Sequence, residues 1–332
     1  MAVAEQFEAL PWQEALWRPL GRWSQLGHAY LFHGPQGVGK RQLAERFRAF
    51  LLCSSPQGEA CGQCRSCQLR LAGTHPDAYS LEPEEPGKWI RVDDLREALG
   101  FLALTSSFAP RKVLLIDPAE AMNSHAANAL LKTLEEPPGD AVLLLVSHHS
   151  SDLPATIRSR CLQLACPLPN SEQSLAWLAT RLPELSADQR QTLLTLAQGA
   201  PLRALQLEQQ NALQHQQQWL ENCEGLLRDR LGPMQMAENC KQIPLSLFFD
   251  WCCDWIQGVL RYRMTGQTGQ LAASAQDRLI IRLAEQSPLP RVLALQSWLL
   301  AERQKLLARA NLNPQLLLEA LLVRWAQLIP KR

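Results

Sequence analysis

Apolar residues in the first half of the chain fall in five short runs: Ala29–His33, Ala78–Leu81, Val113–Asp117, Val142–Val146 and Leu162–Ala165. Runs this short, near-continuously apolar and bounded by turn residues, read as strands buried on both faces. Between them, the apolar positions of Lys40–Leu52, Asp93–Leu104 and Asn123–Leu134 recur at helical spacing. Strand–helix alternation predicts a parallel sheet covered by helices on both sides. After Cys166 the pattern changes. Pro167 and Pro169 break it, and no strand-like run follows. Asn170 with Gln173, and Ser186 with Gln189, look like capping boxes that open two short helices, and Gly199-Ala200-Pro201 precedes a third. A glutamine-rich stretch, Gln206 to Gln218, reads as a solvated helix face or linker. The remainder is helical, cut by Pro233, Pro244, Pro288, Pro290 and Pro314. There Phe248, Cys252, Trp255 and Val259 share one helical stripe, expected to be core or a subunit interface. Asn313-Pro314 is a cap followed by proline at the first helical position, opening a last helix through Leu316, Leu317, Ala320, Leu321 and Val323. The expected organisation is an α/β domain over residues 1–166, a helical module over 167–208 and an all-helical domain over 209–332.

Composition narrows the class. The 332 residues are 46% hydrophobic and 20% charged, an ordinary globular balance. Net charge is +1, and neither half is a polycation: residues 1–166 carry 16 basic and 18 acidic groups, the remainder 17 and 14. Long stretches of nucleic acid are therefore not an expected partner of this chain alone. Apolar runs such as Ala141–Val146 fall far short of the roughly 20 residues that span a membrane. Glu5 and Glu8 sit where the apolar part of a secretion signal would start. A cytoplasmic protein with no membrane partner is expected, and its ten cysteines need a reason other than disulfides.

Gly34-Pro35-Gln36-Gly37-Val38-Gly39-Lys40 follows a predicted strand and opens a predicted helix, the context a phosphate-binding loop requires. Gly34, Gly37 and Gly39 would let backbone N–H groups converge on phosphates, and Lys40 would reach the β and γ phosphates. The next position decides more. A working loop needs Ser or Thr there to hold Mg²⁺, and this chain has Arg41, which offers a cation no lone pair. Val113-Leu114-Leu115-Ile116-Asp117 is an apolar strand ending in an acid, the Walker B pattern, but Pro118 stands where many such ATPases place a glutamate base. A positioned base contributes ~10²–10⁴-fold in rate. Glu120, two positions late, reads as a solvated acid. Both defects point to a nucleotide-binding fold that has lost its hydrolytic parts. The loop is compatible with ATP binding without turnover, and the pattern does not decide whether nucleotide occupies it.

Cys61, Cys64 and Cys67, with Cys53 upstream, have the spacing of a tetrahedral Zn²⁺ site. An iron–sulfur cluster is disfavoured, because the further cysteine and proline of the ferredoxin spacing are absent from Gln68 to Leu71. With four thiolates and no place for water, the site would be structural. Cys161, Cys166, Cys223, Cys240, Cys252 and Cys253 lack such spacing and read as core.

These features together resemble the bacterial clamp-loader AAA+ family. Leu130 to Pro138, LLKTLEEPP, is similar to that family's signature helix, and Ser159-Arg160-Cys161 to its Ser-Arg-Cys motif. The resemblance covers the whole chain and implies an AAA+ domain with a zinc insert over 53–67, a three-helix lid and a helical collar. Arg41 and Pro118 place the chain among the family's non-motor subunits, since a motor would keep both missing residues, and a motor would usually also carry an extension beyond Arg332. Arg203 matches a lid sensor arginine and Ser147 the sensor position after the fourth strand. The resemblance further implies a heteropentamer with motor subunits and a delta wrench subunit. There Arg160 would act in trans on a neighbour's ATP, and the complex would place a sliding clamp on primer-template DNA. This chain would belong to a DNA polymerase holoenzyme without polymerase or ATPase activity of its own. The rival readings are an ATP-hydrolysing motor, which Arg41 and Pro118 disfavour, and a zinc-finger nucleic-acid binder, which the charge balance disfavours.

Overall fold

A computed structural model describes residues 9–21, 26–85, 87–266, 275–307 and 313–329. Glu5 and Glu8 lie outside them. The chain divides into two compact units, Met1–Gln206 and Leu207–Arg332. Among the described residues no helix is long and apolar enough to cross a membrane.

The first unit holds five parallel strands, β1 (Ala29–His33), β2 (Ala78–Leu81), β3 (Val113–Ile116), β4 (Val142–Ser147) and β5 (Leu162–Ala165), in the order β2-β3-β4-β1-β5. β1 lies between β4 and the edge strand β5, with Ala29 beside Leu143 and His33 beside Ser147 on one side and His33 beside Ala165 on the other. Period-two alternation sends the strand side chains to two cores. Leu31, Leu114, Ile116, Leu143 and Leu145 pack with α4 (Val92–Leu102) and α5 (Ser124–Glu135). Tyr30, Phe32, Val113, Leu115, Leu144 and Val146 pack with α1 (Glu14–Leu20) and α2 (Lys40–Leu52). Phe47 of α2 is fully buried, 4.9 Å from the Tyr30 ring, and truncating it to alanine costs about 3–5 kcal/mol. The edge strand β5 leaves Leu162 48% exposed.

The expected strands all form, with small shifts. Asp117 falls just beyond β3, and β4 runs on to Ser147. Two short helices went unread, α1 and α3 (Arg65–Leu71), the latter too short to show a period. α6 (Ala155–Arg158) is a single turn after Pro154. In the helical module, α7 (Ser171–Arg181), α8 (Ala187–Leu196) and α9 (Pro201–Gln209) form as expected. Ser186 and Gln189 make both arms of a capping box. At Asn170 there is one arm: its Oδ1 accepts from the Gln173 N–H, and no return bond is seen from the Gln173 side chain.

The second unit contains α10 (Ala212–Leu227), α11 (Pro233–Cys240), α12 (Leu245–Thr265), α13 (Ala275–Gln286), α14 (Leu289–Leu307) and α15 (Pro314–Ala326). Its centre is aromatic: Trp219 meets Phe248 at 4.8 Å and Trp325 at 5.2 Å. The stripe Phe248, Cys252, Trp255 and Val259 is buried in α12. Asn313 caps α15, but Leu316 and Val323 face outward, 65% and 39% exposed, while Leu317 and Leu321 turn into the core. The six cysteines assigned to the core are all buried.

Candidate functional site

Parallel strands deliver Lys40, Asp117 and Ser147 to one end of the sheet, because the chain leaves β1, β3 and β4 there. The loop after β1 turns through positive φ at Gly37 and Gly39. Gly37 also abuts the start of α9: an added Cβ would lie 2.6 Å from Arg203 Cβ, and its carbonyl accepts the Leu202 N–H at 3.0 Å. The expected loop residues and Arg203 therefore converge.

Their polar groups are spent on one another. Lys40 is buried, and its Nζ donates to Gly34 O at 2.7 Å and Pro35 O at 2.5 Å, carbonyls of its own loop. Burial lowers the Lys40 pKa to about 8, against the opposing pull of Cys166, Glu120 and Asp117. Trp12 Nε1 donates to Val38 O at 2.9 Å, and Gln13 Nε2 to Gly39 O at 2.6 Å. Arg41 reaches Asp117 Oδ2 at 3.2 Å and Glu82 Oε1 at 2.5 Å. A guanidinium thus sits on the acid that would serve a divalent cation. Burial pushes Asp117 up to about 6 even with Arg41 drawing it down. The Glu82 hydrogen bond holds Arg41 charged, above its ordinary value.

Mg²⁺-nucleotide does not fit this arrangement. The metal would have to displace a guanidinium of like sign from Asp117, and the phosphates would have to draw Lys40 off two carbonyls. Glu120 is not the solvated acid expected from its position. Its Oε1 accepts the His148 N–H at 2.8 Å and the His149 N–H at 3.3 Å, and its Oε2 is buried. It therefore tethers the turn after β4. Ser147 is fully buried with no partner for its hydroxyl. Burial lowers the neighbouring His148 to about 4, with Lys40 adding to the effect, so the ring is neutral.

The four cysteines form a second cluster, their sulfurs all within 4.8 Å of one another. Cys53 and Cys64 Sγ are 4.0 Å apart, as are Cys61 and Cys67 Sγ. Tetrahedral Zn–S bonds of about 2.3 Å place sulfurs about 3.8 Å apart, so the set fits a metal ion with little adjustment. Backbone N–H groups of Cys61, Cys64 and Cys67 point at the sulfurs of Cys53, Cys61 and Cys64, at 3.3–3.4 Å. Behind the cluster, Ser66 Oγ donates to Leu52 O at 2.6 Å and meets His75 Nε2 at 2.7 Å, while His75 Nδ1 accepts the Asp77 N–H. Asp77 is fully buried, accepting the N–H groups of Ser107, Phe108 and Ala109 and pairing with Lys112 at 3.4 Å. These supports are not readable from spacing, since their partners lie up to 35 positions away.

Arg160 is placed apart from both. Cys161 is buried in the sheet core, its thiol pushed up to about 12 by burial, and Ser159 Oγ donates to Thr156 O at the end of α6. Both flanks are thus fixed, and Arg160 is held between them with its side chain 35% exposed. Its Nη1 donates to Thr156 O at 3.0 Å, and its Nη2 pairs with Glu135 Oε1 at 2.6 Å. Arg160 precedes β5, at the sheet end opposite the glycine loop, whereas Arg158 lies in α6 itself.

A parallel sheet whose inner strand β1 runs through a glycine-rich loop into a helix, with Arg41 directly after Lys40, defines a phosphate-loop α/β protein. Models of the DNA polymerase III delta subunit match residues 16–169, and of its C-terminal part residues 210–327. The DNA polymerase III subunit delta' of Pseudomonas aeruginosa is 51% identical over 96% of this chain and 97% of its own, and that of Escherichia coli 32% over 90% and 88%. The chain belongs to the DNA polymerase III delta' family. A stretch of 141 residues is also similar to the DNA polymerase III subunit tau/gamma of Haemophilus influenzae, 39% identical over 42% of this chain and 20% of that one.

Proposed function

We propose that this chain is a non-hydrolysing subunit of the clamp loader that presents Arg160 in trans to ATP held by a neighbouring motor subunit. The observation that carries the reading is the placement of Arg160. It lies at the sheet end opposite its own loop, with roughly 10 Å of strand β5 between, so it cannot serve that loop. A trans arginine neutralises charge on the transferring phosphoryl group, and such groups are worth ~10³–10⁵ in rate. The closed loop agrees: a chain whose Lys40 and Arg41 are internally paired needs no nucleotide of its own. In this reading residues 1–166 form an AAA+ domain, 167–208 a lid and 209–332 a collar that assembles with motor and delta subunits. The complex would then open a sliding clamp for primer-template DNA in replication. Cys53, Cys61, Cys64 and Cys67 hold structural Zn²⁺, which adds folding free energy and no chemistry.

The test is the reconstituted complex carrying Arg160→Ala. Folding and assembly stay intact, because an exposed side chain contributes little to stability. DNA- and clamp-stimulated ATPase falls, and clamp loading falls further. Normal rates with Arg160→Ala and a defect with Arg158→Ala would move the role to Arg158. Normal rates with both would reduce the chain to a scaffold.

A further inference from the structure

Glu135 closes α5 and lies at its C-terminal end, where the helix dipole disfavours a carboxylate. Glu136 follows as the C-cap, and Pro137 stops the helix. An acid in that position is best explained by a cation, and the cation it meets is Arg160, with Nη2 to Oε1 at 2.6 Å. The second contact of the guanidinium is the Thr156 carbonyl of α6 at 3.0 Å, through Nη1. Two separate elements therefore hold two different nitrogens of one planar group, which sets its plane as well as its position. A guanidinium has five N–H donors in a fixed fork. Two are engaged, leaving Nε–H and one hydrogen on each Nη for an incoming oxyanion. The pair is half-exposed, 35% at Arg160 and 51% at Glu135, so it lies at the surface from which a partner would approach.

We propose that Glu135 is a positioning residue for Arg160, holding the guanidinium in the orientation that meets phosphoryl oxygens on a neighbouring subunit. The proposal rests on the trans-arginine reading above and adds to it a residue that touches neither nucleotide nor partner phosphate. An arginine with several free rotors pays an entropic cost to reach one geometry, and pre-orienting it removes part of that cost from the transition state. The contribution is of the size of an exposed ion pair, about 0.2–1 kcal/mol, or roughly 1.4- to 5-fold in rate.

The experiment uses reconstituted complex in which the motor subunit adjoining this chain is the one competent to hydrolyse. Wild type is compared with Glu135→Ala, Glu135→Gln, Arg160→Ala and the double variant Glu135→Ala/Arg160→Ala. Glu135→Ala should lower kcat by about 1.4- to 5-fold and leave KM for ATP unchanged, because the carboxylate does not contact nucleotide. Glu135→Gln, which keeps the Oε1 acceptor, should restore most of the loss. In the double variant the Glu135 effect should vanish, since the residue acts through Arg160. The thermal midpoint of the isolated chain should stay within about 4 °C of wild type in Glu135→Ala, the span of an exposed ion pair, and a larger fall would mark a structural role and overturn the positioning one. Wild-type kcat in Glu135→Ala beside a defect in Arg160→Ala would overturn the positioning role and leave the trans arginine standing. A higher kcat in Glu135→Ala, or an additive double variant, would also overturn it. Wild-type kcat in Arg160→Ala would overturn both.

Discussion

If Arg41 stands in for a metal ion on Asp117, removing it should destabilise the first unit in a pH-dependent way. Arg41→Ala leaves Asp117, which is 8% exposed, without its counter-charge at 3.2 Å. The gross Coulomb energy at that distance is about 5 kcal/mol at an effective dielectric of 20. Arg41 is itself 37% exposed, so solvent screens much of this. Breaking a fully buried pair costs about 3–5 kcal/mol and an exposed one about 0.2–1, so an intermediate loss of about 2 kcal/mol is expected near pH 8. In a domain of about 200 residues this is about 4–8 °C in thermal midpoint. The sign with pH follows from Asp117. Its folded pKa of about 6 lies above the ordinary 3.8, so its charge weakens the fold as pH rises through that interval, and Arg41 offsets the penalty. At pH 5 Asp117 is mostly protonated and Arg41 has little to offset, so the deficit of Arg41→Ala should shrink to the exposed Glu82 contact. Thermal unfolding of wild type and Arg41→Ala at pH 5 and pH 8 reads both values, with Glu82→Gln as control. An equal deficit at both pH values, or none at pH 8, would refute the counter-ion argument.

Three further expectations follow from the same geometry. Purified chain should carry one Zn²⁺, released by Cys64→Ser with loss of stability; elemental analysis finding iron, or no metal after reducing purification, would contradict the tetrahedral fit. The isolated chain should not hydrolyse ATP and should gain no thermal stability from Mg²⁺-ATP; turnover near ~1 s⁻¹ that disappears with Lys40→Ala would show the loop open and competent. Asp77→Ala should cost about 3–5 kcal/mol, because it strands three N–H groups and Lys112. Burial raises the Asp77 pKa but those donors outweigh it, so its value lies below the ordinary one. Its contribution is therefore full above about pH 4 and lost as pH falls through the folded value, so the stability gap between wild type and Asp77→Ala should narrow on acidification below about pH 4.

The sheet was legible because buried parallel strands are continuous apolar runs, and each of the five stands where its run does. The cysteine cluster was legible for a related reason: a metal site recruits ligands from one short stretch, so spacing along Cys53 to Cys67 encodes distance in space. The reassigned loop was half legible. Arg41 announced the loss of a metal ligand, because chemistry at one position can be read from one residue. What replaced the metal could not be read, since Glu82 lies 41 positions from Arg41 and Asp117 lies 76 away. The same asymmetry misassigned Glu120, judged from its neighbours along the chain when its partners are the N–H groups of His148 and His149. It also hid Glu135, which as a sequence feature is one of two adjacent acids ending a helix. The motif Ser159-Arg160-Cys161 names the arginine and its flanks, but its orienting acid arrives from α5, 25 residues earlier. A loop with Arg41 in place of a hydroxyl keeps its acids and its lysine, and these groups pair locally: Arg41 with Asp117 and Glu82, Lys40 with the carbonyls of Gly34 and Pro35. In this fold the partners come from the ends of strands adjacent in space, so one substitution that reads as a local defect in sequence is part of a network of ion pairs in three dimensions.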